Sequence, residues 1–104
     1  MYVRVLHFVC RKETQPEAVQ EVYRMIRDEA SSHEGFLGST LLMRVSICQG
    51  MALMYWRDEE AASAAGPSIV SLLGKYAHEL LHDHPEVQGY DVMDESFLSD
   101  QLQR

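Results

Sequence analysis

Residues 78–84 read HELLHDH, and the first five letters match the pattern H-E-x-x-H. In zinc hydrolases two histidines at i and i+4 share one helix face, and the glutamate between them acts as base for a metal-bound water. Here His84 or Glu86 could complete the ligand set. Helical periodicity argues otherwise. A helix over about Ser68 to Asp83, turning ~100° per residue, gathers Ile69, Leu72, Leu73, Tyr76, Ala77 and Leu80 on its apolar side. His78 and His82 then lie opposite, beside Ser71 and Lys75, and face water. A catalytic zinc needs a shaped cleft and partners that orient its ligands. A solvated helix face accounts for the motif, with His82 near the negative end of the helix dipole. No metal is expected.

Three other residues are better candidates for chemistry. His7 lies mid-strand, in phase with Val3, Val5 and Val9 and read as facing inward, where a histidine is a candidate catalyst. Trp56, the only tryptophan, ends an apolar run directly before a helix cap, where it is a core residue or a cofactor contact. Tyr76 sits near the centre of the apolar stripe of the long helix, where its hydroxyl needs a partner or a wet pocket. For each, the competing account is a plain core role. Glu29 and His33 stand at i and i+4 and are expected to pair with each other. Cys10 and Cys48 have no adjacent base and no metal-ligand spacing; both read as structural.

These residues need a scaffold. YVRVLHFVC (residues 2–10) is rich in β-branched and aromatic types and predicts a strand. Thr14-Gln15-Pro16-Glu17 has the form of a capping box, and Ala18, Val22, Tyr23, Ile26 and Ala30 follow at helical spacing up to Gly35. Residues 36–47 alternate as a second strand, Gln49-Gly50 suggests a tight turn, and MALMYW (51–56) predicts a third strand. Asp58 caps a short helix that Gly66-Pro67 should break; a second helix then runs to Asp83, before Pro85. VQGYDVM (87–93) predicts a fourth strand. Residues 1–94 form one domain, and 95–104 a polar tail in which Phe97, Leu98 and Leu102 could dock.

The order β-α-β-β-α-β is the ferredoxin-like, α+β arrangement. Its first and third strands are apolar on both faces, yet two helices cover only one. A solvated face would alternate with polar residues. Sheet-to-sheet packing against a second copy is the economical cover, so a homodimer is expected.

Composition narrows the partners. With 104 residues and 46% hydrophobic content, the chain is a small folded domain. A net charge of −7 with scattered Lys and Arg argues against nucleic acid and anionic membranes, leaving a small apolar or aromatic ligand or another protein. The apolar runs are too short to span a bilayer. The start, MYVRVLHFVCRK, lacks the order of a signal peptide, and two cysteines suit a reducing compartment; a cytoplasmic location is expected.

The glycine-turn segment HEGFLGSTLL, together with the strand end YWRDEEAASAA, resembles the antibiotic biosynthesis monooxygenase-like family of dimeric α/β barrels. The resemblance runs over residues 2–93 and implies a ferredoxin-like protomer, a sheet-to-sheet dimer and a ligand cavity between sheet and helices. Trp56 matches the family's cavity-lining tryptophan. His7 falls where several members carry a functional asparagine, a residue type this chain lacks altogether. The short helix after Trp56 lacks the histidine that many members carry there, so haem is not expected. The implied function is a monooxygenase without metal, flavin or other cofactor, acting on a small aromatic, phenolic or quinol substrate. His7 would be the base, Trp56 the wall and Tyr76 the donor to developing oxyanion. The alternative is a non-enzymatic ligand-binding dimer of the same fold.

Overall fold

The structure is a computed structural model that describes residues 1–96. The elements run β1 (Tyr2–Val9), α1 (Pro16–Ser31), β2 (Phe36–Arg44), one 3-10 turn (Val45–Ile47), β3 (Gln49–Trp56), α2 (Glu59–Leu80) and β4 (Glu86–Asp91). All strand pairs are antiparallel, in the spatial order β2-β3-β1-β4. This is the expected ferredoxin-like, α+β protomer. No described helix is long and apolar enough to cross a membrane.

Strand register divides the sheet into two faces. Tyr2 pairs with Trp56, Arg4 with Met54, Leu6 with Ala52 and Phe8 with Gly50; these point toward the helices. Val3 pairs with Tyr55, Val5 with Leu53 and His7 with Met51, on the side without helices. The buried core under the helices falls into two clusters. One joins Tyr2, Ile26, Ala30, Met54 and Trp56 to Ala61, Ala62 and Ala65 of α2. The other joins Phe8, Cys10, Val19, Cys48 and Leu81 at the far end of β1.

Several local expectations need correction. Gly66-Pro67 does not break the second helix: α2 is continuous, with Pro67 inside it. An internal proline costs about 3 kcal/mol through its lost hydrogen bond and ring clash. Ala61, Ala62 and Ala65 before it and Ile69, Leu72 and Leu73 after it pack on the same core cluster, and their combined burial outweighs that cost. The helix stops at Leu80, short of Asp83, because its end is tied to β1. Arg11 N–H donates to Leu80 C=O at 2.8 Å, and His82 N–H donates to Val9 C=O at 2.9 Å.

Thr14 is not a cap. The N-cap of α1 is Gln15, with no side-chain bond, and Thr14 Oγ1 donates instead to Leu80 C=O at 2.8 Å. Asp58 does cap α2, accepting from Ala61 N–H at 2.9 Å. The turn between β2 and β3 is the Val45–Ile47 segment plus Cys48, and Gln49 and Gly50 belong to β3. A Cβ on Gly50 would lie 2.1 Å from Leu42 C=O, so the position admits only glycine as a strand residue. The fourth strand spans Glu86–Asp91 rather than 87–93. Phe97, Leu98 and Leu102 lie outside the described residues.

Cys10 and Cys48 form a disulfide, with Cα atoms 5.4 Å apart. The structural role expected of them holds, but as a bonded pair. The bond removes the cysteines as grounds for a reducing compartment.

Candidate active site

A cavity of about 340 Å³ lies between the sheet and the helices and touches both core clusters. Its floor comes from Leu6, Phe8, Leu41, Ala52, Met54 and Trp56. Val22 and Ile26 of α1 and Ile69, Leu73 and Ala77 of α2 form the roof. Such a volume sits at the small end of ligand pockets, and its walls are largely aliphatic with few polar groups, as ligand sites commonly are.

Trp56 lines this cavity and is 1% exposed. Its position follows from β3 parity, which sends Ala52, Met54 and Trp56 toward the helices. Phe36 fixes the indole by edge-to-face contact, with ring centroids 5.2 Å apart. Tyr76 lines the same cavity from α2. It is half-buried, and its hydroxyl, with no hydrogen-bond partner among the described residues, is accessible rather than sealed in the core. A tyrosine hydroxyl in that setting is available to a ligand. Tyr23 and Ser39, hydrogen-bonded to each other, join α1 to β2 at another wall.

His7 is not part of this cavity. It stands on the opposite face, with Met51 and Glu86 as its register partners, over a more open outer depression that Arg44, Asp83 and His84 also line. The structure therefore places Trp56 and Tyr76 in the walls of one cavity and leaves His7 across the sheet. The strand phase assigned to His7 is correct. The face assigned to it is not, because β1 is apolar on both sides and phase alone names neither as inner.

Arg4 and Ser63 are cavity-lining residues that sequence reasoning passed over. A signal existed for Arg4: it is in phase with Tyr2, Leu6 and Phe8, so it interrupts the apolar face that β1 shares with Trp56.

The HELLHDH segment does not form the helical zinc pattern. His78 is on α2, whereas His82 lies beyond the helix end, with its Nδ1 3.0 Å from Asp83 Oδ2. Among the described residues no cluster of three or more His, Cys, Asp or Glu side chains is placed to hold a metal ion. Glu29 and His33 pair as expected, Oε2 to Nε2 at 3.1 Å, and Ser68 Oγ lies 2.8 Å from the same Nε2. A hydrolytic triad divides its nucleophile and carboxylate between the two ring nitrogens. Here both meet one nitrogen, so the group ties α1's end to α2.

The electrostatics beside Trp56 are set by its two successors. Asp58 has its carboxyl held below the ordinary range by the Ala61 backbone N–H and then by Arg57. Arg57 is held more firmly protonated by Asp58 (3.0 Å) and Glu34 (3.3 Å).

A ferredoxin-like protomer with a chamber under its helices defines the structural class. Its structural neighbours are antibiotic biosynthesis monooxygenase-like proteins. SnoaB, a cofactor-independent oxygenase from Streptomyces nogalater, is 18% identical with a TM-score of 0.74, over 90% of this chain and 94% of that one. A candidate antibiotic biosynthesis monooxygenase from Nitrosomonas europaea is 14% identical with a TM-score of 0.75, over 90% and 100%. At3g17210 from Arabidopsis thaliana is 17% identical with a TM-score of 0.73, over 93% and 100%. At such identities the likeness establishes the fold. No protein-family model matches the chain, and no curated protein matches it in sequence.

Proposed function

We propose that the chain is a cofactor-independent monooxygenase that oxidises a small phenolic or quinol substrate inside the cavity beneath its helices. The observation that carries this reading is the largely aliphatic chamber with Trp56 and the unpartnered Tyr76 hydroxyl in its walls. The fold shared with SnoaB, itself a cofactor-independent oxygenase, supports it.

The chemistry is the conversion of a phenol and dioxygen to a quinone and water. The ionised ring attacks dioxygen through carbon. One oxygen stays as the new carbonyl; the other leaves as water with the hydrogens of the former C–H and O–H. Trp56 supplies a flat wall that holds the ring. Tyr76 donates a hydrogen bond to the oxygen that gains charge, and an aliphatic surround strengthens that bond. His7 has no place in this scheme as base, since it lies across the sheet. Proton loss then rests on the substrate's own acidity within the cavity.

The test is aerobic turnover of simple phenols and quinols by purified protein, with labelled dioxygen traced into the product. Tyr76→Phe is expected to lower kcat about tenfold or more, while His7→Ala leaves it within about twofold. No label in any product would count against the enzyme reading. The second reading, a non-enzymatic binding dimer, is favoured by one observation: no described cavity-lining residue is a histidine or a carboxylate. It expects ligand-induced stabilisation without turnover.

A further inference from the structure

We infer that Arg4 is the anion anchor of the cavity, so that the ligand carries one anionic oxygen, as carboxylate or phenolate, on a compact apolar body. The inference rests on the cavity reading above and specifies the kind of molecule that fits it.

Arg4 is the one charged side chain among the described residues lining the cavity. Its Nη2 donates to Ser63 Oγ on α2 at 3.4 Å, and its Cζ lies 5.4 Å from the centre of the Tyr2 ring. These contacts hold the guanidinium at the seam between β1 and α2 without neutralising it. Among the described residues no carboxylate lies within 4.0 Å of it, as is also the case for Arg11, Lys12, Arg24, Arg44 and Lys75, but of these cations only Arg4 lines the cavity. In a chain of net charge −7, a cation left unpaired beside an apolar chamber stands out. Arg4 is half-buried as a residue, and only Nη2 of its guanidinium is hydrogen-bonded among the described residues, which leaves most of its five donors free to meet an anion.

Space is left for that anion. Gly66 of α2 lines the same cavity, and a Cβ added there would meet nothing within 4 Å. The register partner of Arg4 on β4 is Gly89, and the Tyr2 ring lies over that glycine, so the open side of the guanidinium is the one toward Gly66. An apolar body lodged against Trp56 and Met54 would present its oxygen to Arg4, because Met54 is the β3 partner of Arg4. A phenolate held in this way is stabilised in its ionised form. That is what a cavity with no described histidine or carboxylate to take the proton needs for the chemistry proposed above.

The experiment compares naphthoate with uncharged naphthalenemethanol by calorimetric titration of the full chain near neutral pH. The wild type is expected to bind naphthoate about tenfold or more tightly than the alcohol. Arg4→Met is expected to abolish that difference while leaving the alcohol's affinity within about twofold. Naphthol, titrated above and below its own ionisation, separates phenolate from carboxylate as the anchored group; preference for the ionised form of either supports the inference. Equal affinity for acid and alcohol in the wild type overturns it, and so does a preference that survives Arg4→Met. The wild-type comparison needs no variant, so poor folding of Arg4→Met does not shelter the inference. Failure of every probe to bind the wild type overturns this inference and the ligand-cavity reading together. Equal binding of acid and alcohol overturns the anchor alone.

Discussion

Asp58 shows how much one half-buried residue contributes to placing Trp56. Its carboxylate accepts the Ala61 N–H that starts α2 and pairs with Arg57, whose own N–H donates to Gly35 C=O at 2.8 Å. The folded chain lowers this carboxyl's pKa, so the ionised form is favoured by folding. Its stabilising effect is complete above the unfolded-state value of about 4 and is lost as pH falls through the lower folded value. Asp58→Asn keeps an acceptor for the cap but cannot titrate. Thermal melts from neutral to acid pH should show a shallower acid decline in Asp58→Asn than in wild type, whereas Asp58→Ala should melt lower at neutral pH as well. Equal acid slopes would show that Asp58 has no such linkage. The cap was legible because Asp before a charged first turn has one common meaning. Trp56 was legible because a lone tryptophan at a strand end has few places to go. His7 was misplaced for a physical reason: Val3, Val5 and Val9 make its face as apolar as the helix-facing one. Arg4 was missed because a single cation in an apolar phase resembles a surface residue until strand pairing is known.

Element boundaries depend on close approaches that sequence shows only faintly. The β2 entry passes so near α2 that a Cβ on Gly35 would lie 2.6 Å from Ala61 Cβ, and Gly35 itself has φ +89°. Gly35→Ala combines left-handed strain with this clash and is expected to cost about 2 kcal/mol or more in urea denaturation. A loss below half that value would mean the turn relaxes freely. At the other end of the layer the Cys10–Cys48 bond closes a loop of sequence separation 38 and fastens the β2–β3 turn onto β1. Replacing both cysteines by serine is expected to cost about 2–4 kcal/mol, measured against the oxidised wild type. Reductant should bring wild type toward the variant and leave the variant unchanged. Neither the bond nor the unbroken α2 could be read from local pattern. Thirty-eight positions separate the cysteines, and only burial on both sides of Pro67 reveals that the helix continues. The β-α-β-β-α-β order was legible because each element carries its own period and its own stop.

At the scale of the whole molecule, the face of the sheet opposite the helices decides the assembly. Val3 and Val5 are covered by their neighbours, but Val9, Leu42 and Tyr90 are 50%, 45% and 50% exposed. Met51, Leu53 and Tyr55 lie half-buried between them. Four strands spaced about 4.8 Å apart and some 25 Å long give a plan area of roughly 500 Å², which side-chain relief enlarges. A standard interface takes about 800 Å² of accessible surface from each partner, so this face is of the right order for a twofold dimer. We propose a second copy of the chain as the cover of this face, and that makes a sharp prediction. Sedimentation at micromolar concentration should give about twice the chain mass of 11.9 kDa. Leu53→Arg, at the centre of the open face, should give the single chain while keeping the probe affinities of the cavity, which lies on the other side of the sheet. Loss of cavity binding in that variant would mean that the two faces are coupled and that the chamber needs the second copy. A wild-type chain that sediments alone at those concentrations would leave the apolar face without its proposed cover.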